Sequence, residues 1–135
     1  MALNFTYDDS EKKIYLICPV RNIEPKLKAT LDRYVRRLES RGYNVHYPPR
    51  DADQSDPNGL EIIAAHRKAM LKADYAYLCF HPESTGSLFD FGMSFLGFKP
   101  VHLINRRRVK PTDHKSFANV FLKLDEFYRS QTSYA

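Results

Sequence analysis

The chain has 135 residues, 43% of them hydrophobic and 27% charged, and its 21 basic and 16 acidic residues give a formal net charge of +5. This length and composition are typical of one globular domain, so we expect a single domain over residues 1–135. No apolar run reaches the ~20 residues that a membrane-spanning helix needs, and the N-terminus lacks the basic-then-apolar order of a signal peptide. We therefore expect a cytoplasmic protein with no membrane contact, and the positive charge favours an anionic ligand.

The first half of the chain alternates an apolar strand with an amphipathic helix. Residues 13–20, KIYLICPV, form a continuous apolar run, which is typical of a parallel strand buried on both faces. Residues 24–43 place apolar side chains on one helical stripe, and Gly42 is a suitable C-terminal stop. A second strand is predicted over residues 43–48, and the polar segment 48–59 is predicted to be a loop.

The second half of the chain repeats this alternation. The predicted elements are a helix over Leu60–Ala73, a strand over 74–80, a helix over 87–98, a strand over 99–105, a basic loop over 105–115 and a terminal helix over 116–130. A short fifth strand inside the last segment is the alternative. Strand–helix alternation at this spacing predicts an α/β fold, with a parallel sheet of four or five strands and helices on both faces.

The fold class also predicts where a ligand binds. In parallel sheets of this kind, the ligand crevice lies outside the carboxyl ends of the strands, where the strand order reverses. Four segments directly follow the predicted strands and are therefore expected at this edge: residues 19–22, 48–54, 81–86 and 105 onward.

Two features have structural explanations that we favour over functional ones. Cys18 and Cys79 lie inside apolar strands, which indicates buried, inert thiols rather than a disulfide, a metal pair or a nucleophile. The basic stretch at 105–115 lacks the interleaved aromatic residues of single-strand binders, so we favour a solvated surface loop over a nucleic-acid contact. No cluster has the spacing of a metal site, and we expect no metal and no cofactor.

The turn PESTGS, residues 82–87, and the acid behind it carry the strongest functional signal. Ser84 and Ser87 supply hydroxyls, and Gly86 lets a ligand approach the backbone. The start of the following helix attracts an anion. The alternative is a helix N-cap with nothing bound. Asp90 lies between two phenylalanines, where a carboxylate could attack or stabilise C1 of a sugar whose leaving group is a base. The alternative is an acid placed there only by the helix dipole.

Other polar residues at the predicted sheet edge could bind a ligand. Arg21 could hold a phosphate or a carboxylate, and a surface ion pair is its alternative. Tyr15 is expected in the core, with a hydroxyl that could reach Asp90 from the first strand. The loop after the second strand supplies three candidates for reading the edge of a base, for which turn chemistry is the alternative: Arg50, Asp51 and Gln54.

Three segments resemble the nucleoside 2-deoxyribosyltransferase family: KIYLICPVRN at 13–22, KAD at 72–74 and STGSLFDFGMSFLGFKPV at 84–101. The resemblance runs from about Lys13 to Asn105. It implies a flavodoxin-like, Rossmann-like three-layer sandwich and an enzyme that cleaves N-glycosidic bonds of nucleosides or nucleotides. It also implies a homo-oligomer, a dimer or larger, because the family usually completes each site with residues of a neighbouring subunit.

The resemblance also implies roles for individual residues. Asp90 stands where the family has its nucleophilic glutamate, and Tyr15 matches the first-strand tyrosine that orients it. Ser84 stands where the transferases have an aspartate for the 5′-hydroxyl, which is similar to the branch that hydrolyses nucleoside 5′-monophosphates. Arg21 matches an arginine that helps that branch hold the phosphate. His66 stands where the family has an aspartate that contacts the base or the sugar.

Two departures from the family define the alternatives. Aspartate in place of glutamate withdraws the carboxylate by one C–C bond, ~1.5 Å, and a misplacement near 1 Å can cost on the order of a hundredfold in rate. In the other departure, His66 replaces the family's aspartate that contacts the base or the sugar. We therefore predict a glycosidase or transferase that forms a covalent glycosyl–Asp90 intermediate, with a catalytically silent nucleotide-binding module as the alternative. A nucleic-acid-binding protein built on residues 105–115 is the least favoured hypothesis.

Overall fold

The computed structural model describes residues 12–132, and these contain one four-stranded parallel sheet. Its strands are β1 (Lys13–Ile17), β2 (Asn44–His46), β3 (Tyr75–Leu78) and β4 (Val101–Leu103). Their order in space is β2–β1–β3–β4, and all three neighbouring pairs are parallel. The chain thus passes from β1 outward to β2 and then crosses back to β3. The strand order reverses between β1 and β3, which is where a sheet of this kind binds its ligands.

Five α-helices and one short 3₁₀ turn accompany the sheet. They are α1 (Pro25–Ser40), α2 (Pro48–Asp51), α3 (Leu60–Lys72), α4 (Thr85–Leu96), the 3₁₀ turn Arg106–Arg108 and α5 (Phe117–Thr132). The core has two parts, one on each face of the sheet. Leu31, Val35 and Leu38 of α1 pack with Ile14 and Leu16 of β1. The other face carries a second cluster.

This second cluster joins the remaining helices to the sheet. Tyr15 and Ile17 of β1 pack there with Met70 of α3, Phe91 of α4 and Phe121 of α5. Side chains alternate between the two faces along a strand, so Tyr15 faces α3 and α4 whereas its neighbours in β1 face α1. Helices on both sides of a parallel sheet confirm the predicted α/β class.

The element bounds differ from the predicted ones in two instructive places. The strand predicted over 13–20 ends at Ile17, and Pro19, which follows, has no N–H with which to extend a ladder. The segment predicted as a loop over 48–59 begins with one turn of helix, α2, and is a correction to the prediction. Proline is favoured at the first helical positions, and Asp51 accepts a hydrogen bond from the backbone N–H of Tyr47 at 2.8 Å, which closes the turn.

Several other predictions agree with the structure. Residues 116–130 lie almost wholly in helix α5, and no fifth strand occurs within residues 12–132. Gly42 follows α1 with a positive φ of 95°, the left-handed conformation that ends helices and favours glycine. Cys18 and Cys79 are buried and free.

Of the helices described, none has both the length and the apolar character required to cross a membrane.

A buried carboxylate fixes α5 against the edge strand β4. Asp125 is fully buried, and its Oδ1 accepts the backbone N–H of Leu103 at 2.8 Å. Its Oδ2 accepts from Arg106 at 2.9 Å and from Arg129 at 2.7 Å. The first arginine of the basic stretch is therefore part of the fold. The next two, Arg107 and Arg108, are exposed, in agreement with a solvated loop.

Candidate active site

A cavity of about 730 Å³ opens at the carboxyl edge of the sheet. Its walls come from the segment that follows β1, from α3, and from the turn and first helical residues of α4. Ligand pockets commonly have volumes of roughly 300–1,000 Å³. The cavity therefore has room for a nucleotide-sized molecule, and it lies where the strand order reverses.

Asp90 lies in the second turn of α4 and forms part of the cavity wall. Only 5% of its surface is exposed. The hydroxyl of Tyr15, a fully buried residue of β1, donates a hydrogen bond to Asp90 Oδ2 at 3.0 Å. Burial, with the neighbouring Asp90 carboxylate as a further cause, raises the pKa of Tyr15 well above its usual range. Tyr15 therefore remains a protonated donor that holds one oxygen of the carboxylate in place.

His66 of α3 lies on the other side of this carboxylate. Its Nδ1 is 3.5 Å from Asp90 Oδ1, an ion-pair distance when the imidazole is protonated. The residue is 8% exposed and lines the cavity. Its Nε2 is buried and has no hydrogen-bond partner within the described part of the chain. One carboxylate thus lies between a phenol and an imidazole from different elements.

The turn before α4 contains a complete N-cap. Ser84 Oγ accepts the backbone N–H of Ser87 at 3.3 Å, and the two hydroxyls lie 2.7 Å apart. Ser87 is buried beneath this cap and does not line the cavity, whereas Ser84 does. The first amides of a helix have no partner within the helix and carry the positive end of its dipole. This end of α4 lies at the cavity, with Thr85 and Gly86 in its wall.

Three further candidate residues reach the cavity. Arg21, Gln54 and Gly86 line it, and Arg21 is exposed to solvent. A Cβ added at Gly86 would meet no atom within 4 Å, so the backbone is open to a ligand here. These residues come from the ends of β1, the α2–α3 connection and α4, which are separate in the sequence.

The cavity does not include Arg50 and Asp51, which the sequence suggested as readers of a base. Arg50 donates to Glu39 of α1 at 2.9 Å and to Asp51 at 2.7 Å. Asp51 also caps the start of α2 through the Tyr47 amide. Turn and ion-pair chemistry therefore account for both residues, and we correct their assignment to the cavity.

His46 is a member of this cluster that the sequence analysis missed. It pairs with Tyr15 in the parallel register of β2 and β1, and their rings are 4.9 Å apart between centroids. Its Nε2 is also buried without a hydrogen-bond partner among the residues described. Burial lowers the pKa of His46, while the nearby Asp51 carboxylate opposes the shift. The signal that would reveal it is the register between β1 and β2, which places His46 and Tyr15 side by side.

Among the described residues, neither a metal-binding cluster nor a thiolate is found at this site. Within residues 12–132, no group of three or more His, Cys, Asp and Glu side chains could hold a metal ion. Cys18 lines the cavity, but burial strongly raises its pKa, so the sulfur is held as a neutral thiol. The thiolate is the nucleophilic form of cysteine. Asp90 is a nearly buried carboxylate at the same cavity wall.

Comparison with known proteins shows a likeness in structure. No family model matches the chain, and no curated protein matches it in sequence. Among solved structures, it is similar to a 2-deoxyribosyltransferase from the psychrotolerant bacterium Bacillus psychrosaccharolyticus, described as a biocatalyst for the synthesis of antiviral and antitumoral nucleosides. The TM-score is 0.58 at 19% sequence identity, over 83% of this chain and 95% of that one. The chain therefore has the fold of a 2-deoxyribosyltransferase, as the sequence resemblance predicted.

Proposed function

We propose that the protein cleaves the N-glycosidic bond of a nucleoside or a nucleoside 5′-monophosphate. The observation that carries this proposal is the buried Asp90 carboxylate, held by the Tyr15 hydroxyl at the wall of a nucleotide-sized cavity. The likeness in fold to a 2-deoxyribosyltransferase supports the same class of reaction. The ligand would be a small molecule, and a nucleic acid is not required.

The proposed reaction has two balanced steps. First, an oxygen of Asp90 bonds to C1′ of the sugar as the bond from C1′ to the base nitrogen breaks, and the electron pair leaves with the base, which takes up a proton. An acceptor, either water or a second base, then attacks C1′ and gives up a proton. The C1′–Asp90 bond breaks and its electron pair returns to the carboxylate. Tyr15 keeps the carboxylate aligned throughout.

The phosphate of a 5′-monophosphate would bind at the start of α4. Arg21 lines the cavity and is exposed to solvent, and a guanidinium suits a phosphate in a bidentate arrangement. The amides near Gly86 and the helix dipole add a second source of attraction for an anion. The Ser84 hydroxyl caps the helix and lies at the same wall, so it would contact the phosphate from its cap position.

The base would then lie towards α3 and the segment before it. Gln54 offers an amide at this wall, and Ile62 and Ile63 offer apolar contacts. His66 is the candidate that supplies a proton to the leaving base, since imidazole exchanges protons near neutral pH. We propose that these residues, and not Arg50 or Asp51, recognise the base.

A catalytically silent nucleotide-binding module remains the second candidate function. Asp90 is nearly buried, and its two oxygens already face the Tyr15 hydroxyl and the His66 imidazole. An aspartate is also shorter than a glutamate by one C–C bond, ~1.5 Å. Both features would suit a carboxylate that only shapes the pocket.

We also propose that the protein is a homo-oligomer. The end of α4 presents an apolar surface, with Leu96 83% exposed and Phe98 88% exposed. Phe95 and Leu71 are exposed nearby, and Lys99 ties this end to α3 through a hydrogen bond from Nζ to the Leu71 carbonyl at 3.2 Å. Surfaces of this kind usually mark contacts between proteins.

The test is a panel of nucleosides and 5′-monophosphates with the release of free base followed by chromatography. We expect the wild-type protein to release base from at least one of them. Asp90→Ala should lose turnover and keep ligand binding by calorimetry, and Asp113→Ala, at an exposed loop residue, should keep both. Binding without any release of base by the wild type would support the silent module. An active Asp90→Ala protein would refute the proposed nucleophile.

A further inference from the structure

The cluster next to Asp90 contains two imidazoles, those of His46 and His66, and each has one buried nitrogen that is unpaired among the described residues. His46 Nε2 and His66 Nε2 are the buried side-chain nitrogen or oxygen atoms that lack a hydrogen-bond partner within residues 12–132. A buried polar atom without a hydrogen-bond partner destabilises the folded state, so such atoms usually bind a protein group or an ordered water. Two such atoms in one cluster therefore indicate a common hydrogen-bond partner.

The geometry brings the two rings together. Their centroids are 6.1 Å apart, with the ring planes inclined at 75°. Each ring also packs on Tyr15, at 4.9 Å for His46 and 6.0 Å for His66. A buried water typically makes about three hydrogen bonds to polar groups that would otherwise be unsatisfied. One water between the two rings would give both Nε2 atoms a partner.

The two nitrogens of His66 have different surroundings. Its Nδ1 lies 3.5 Å from Asp90 Oδ1, the carboxylate at the cavity wall, whereas its Nε2 is buried away from solvent. The nitrogen of a neutral imidazole that carries the proton is set by the hydrogen bond at the other nitrogen. An acceptor role for Nε2 would leave the proton on Nδ1, next to Asp90 and the reacting bond.

We propose that His46 is a positioning residue that acts through His66. It holds the shared water against His66 Nε2, and this fixes the His66 proton on Nδ1, where it faces Asp90 and the leaving base. This inference rests on the proposed function and names the group that prepares its proton donor. Burial lowers the pKa of His46, so the ring is neutral near pH 7 and can pair with a water without bringing a second charge to the site.

The proton balance follows from this arrangement. From the neutral form of His66, Nδ1–H passes to the base as the bond to C1′ breaks, and Nε2 takes up a proton from solvent through the shared water. When water or a second base attacks the glycosyl–Asp90 ester, its proton passes to Nδ1 and the Nε2 proton returns to solvent through the same water. His66 is therefore regenerated, and His46 exchanges no proton with the substrate.

The test compares His46→Phe with His46→Gln. Phenylalanine keeps the ring shape and removes both nitrogens, whereas the glutamine amide can occupy the place of Nε2 and hold the water. His102→Phe is the matched control, because His102 is also half-buried and burial also lowers its pKa, but it lies in β4 outside the cavity. Nitrogen-15 NMR of the imidazole rings reports which nitrogen of neutral His66 carries the proton.

We expect the proton on Nδ1 in the wild type, in His46→Gln and in His102→Phe, and a shift towards Nε2 in His46→Phe. We expect kcat to fall about tenfold to a hundredfold in His46→Phe at an unchanged KM, with recovery in His46→Gln. A proton already on Nε2 in the wild type, or an identical His66 in His46→Phe, would overturn the inference. The absence of base release by the wild type would instead overturn the proposed function, because the NMR measurement requires no turnover.

Discussion

Tyr15 and Asp90 are 75 positions apart in the sequence, yet the Tyr15 hydroxyl donates directly to Asp90 Oδ2 at 3.0 Å. The contact joins the central strand β1 to α4 across the point where the strand order reverses. Both side chains are buried. The hydrogen bond therefore holds a carboxylate at the cavity through a residue of the sheet core.

Removing this hydroxyl should reduce the rate more than the stability. Tyr15→Phe is expected to lower kcat by about tenfold to a hundredfold, because Asp90 loses the donor that aligns it. It should lower the free energy of unfolding by about 1 kcal/mol, the usual net value of one hydrogen bond. Steady-state base release and urea denaturation measure the two effects.

The control for this change is Tyr47→Phe. Tyr47 is also buried, and its hydroxyl donates to Asp32 at 2.7 Å, away from the cavity. The Tyr47→Phe variant should lose a similar amount of unfolding free energy and keep its kcat. An equal loss of kcat in both variants would show that the Tyr15 effect is not specific to Asp90.

Arg21 should distinguish phosphorylated from unphosphorylated substrates. Arg21→Gln removes a charge at the cavity while keeping a polar side chain, so we expect KM for a 5′-monophosphate to rise about tenfold or more, with little change for the matching nucleoside. Arg33→Gln, at a residue of α1 that does not line the cavity, is the control. An equal rise in KM for both substrates would place the phosphate elsewhere.

Asp125 should contribute to stability and leave the chemistry unchanged. Asp125→Asn weakens its bonds to Arg106 and Arg129, and we expect a loss of about 2 kcal/mol, since both arginines are partly exposed. Unfolding in urea, beside the exposed Asp113→Asn, measures this loss. Base release per folded molecule should not change, and a fall in kcat at full folding would contradict this assignment.

The same residue gives a pH dependence with a defined sign. Burial acts to raise the pKa of Asp125, but hydrogen bonds from Arg129, the Leu103 amide and Arg106 outweigh it and lower that pKa. A folded-state pKa below the unfolded value of about 3.9 means that the unfolded chain binds the proton first. The stabilisation is therefore complete above about pH 4 and is lost as the pH falls below it. Asp125→Asn should be less sensitive to pH in this range.

Much of the fold could be predicted from the sequence, because buried parallel strands are continuous apolar runs and the helices between them are amphipathic. The turn at 82–87 and Asp90 were visible for a similar reason, since hydroxyls, a glycine and an acid follow an apolar strand. Residues whose roles depend on tertiary contacts could not be predicted from the sequence. His46 reaches the cluster only through the register of β2 against β1. Asp125 finds its partner Leu103 at a separation of 22 positions.

Arg50 shows the opposite case, because the sequence suggested a role in the cavity that its contacts do not support. The sequence placed it correctly just after a strand, but its guanidinium is engaged by Glu39 of α1 and by Asp51. Its position in the chain was therefore predictable, whereas its orientation was decided by ion pairs with residues that the local pattern does not reveal. A residue that follows a strand at the carboxyl edge of a sheet can therefore lie outside the cavity.

Phe98 provides a test of the proposed assembly. It follows α4 with a φ of 56°, a conformation that favours glycine, and its side chain is 88% exposed. Phe98→Gly should raise the unfolding free energy of the isolated subunit by roughly 1 kcal/mol, because it relieves this strain. It should also weaken self-association, measured by light scattering over a range of concentrations. An unchanged molar mass relative to the wild type would exclude Phe98 from the interface.

The most direct test is to quench the protein within milliseconds of mixing with an active substrate and to locate any covalent adduct by peptide mass spectrometry. We expect a sugar or sugar phosphate bound to the carboxylate of Asp90, with no adduct in Asp90→Asn. Base release that continues without an adduct on Asp90, or an adduct on another residue, would contradict it.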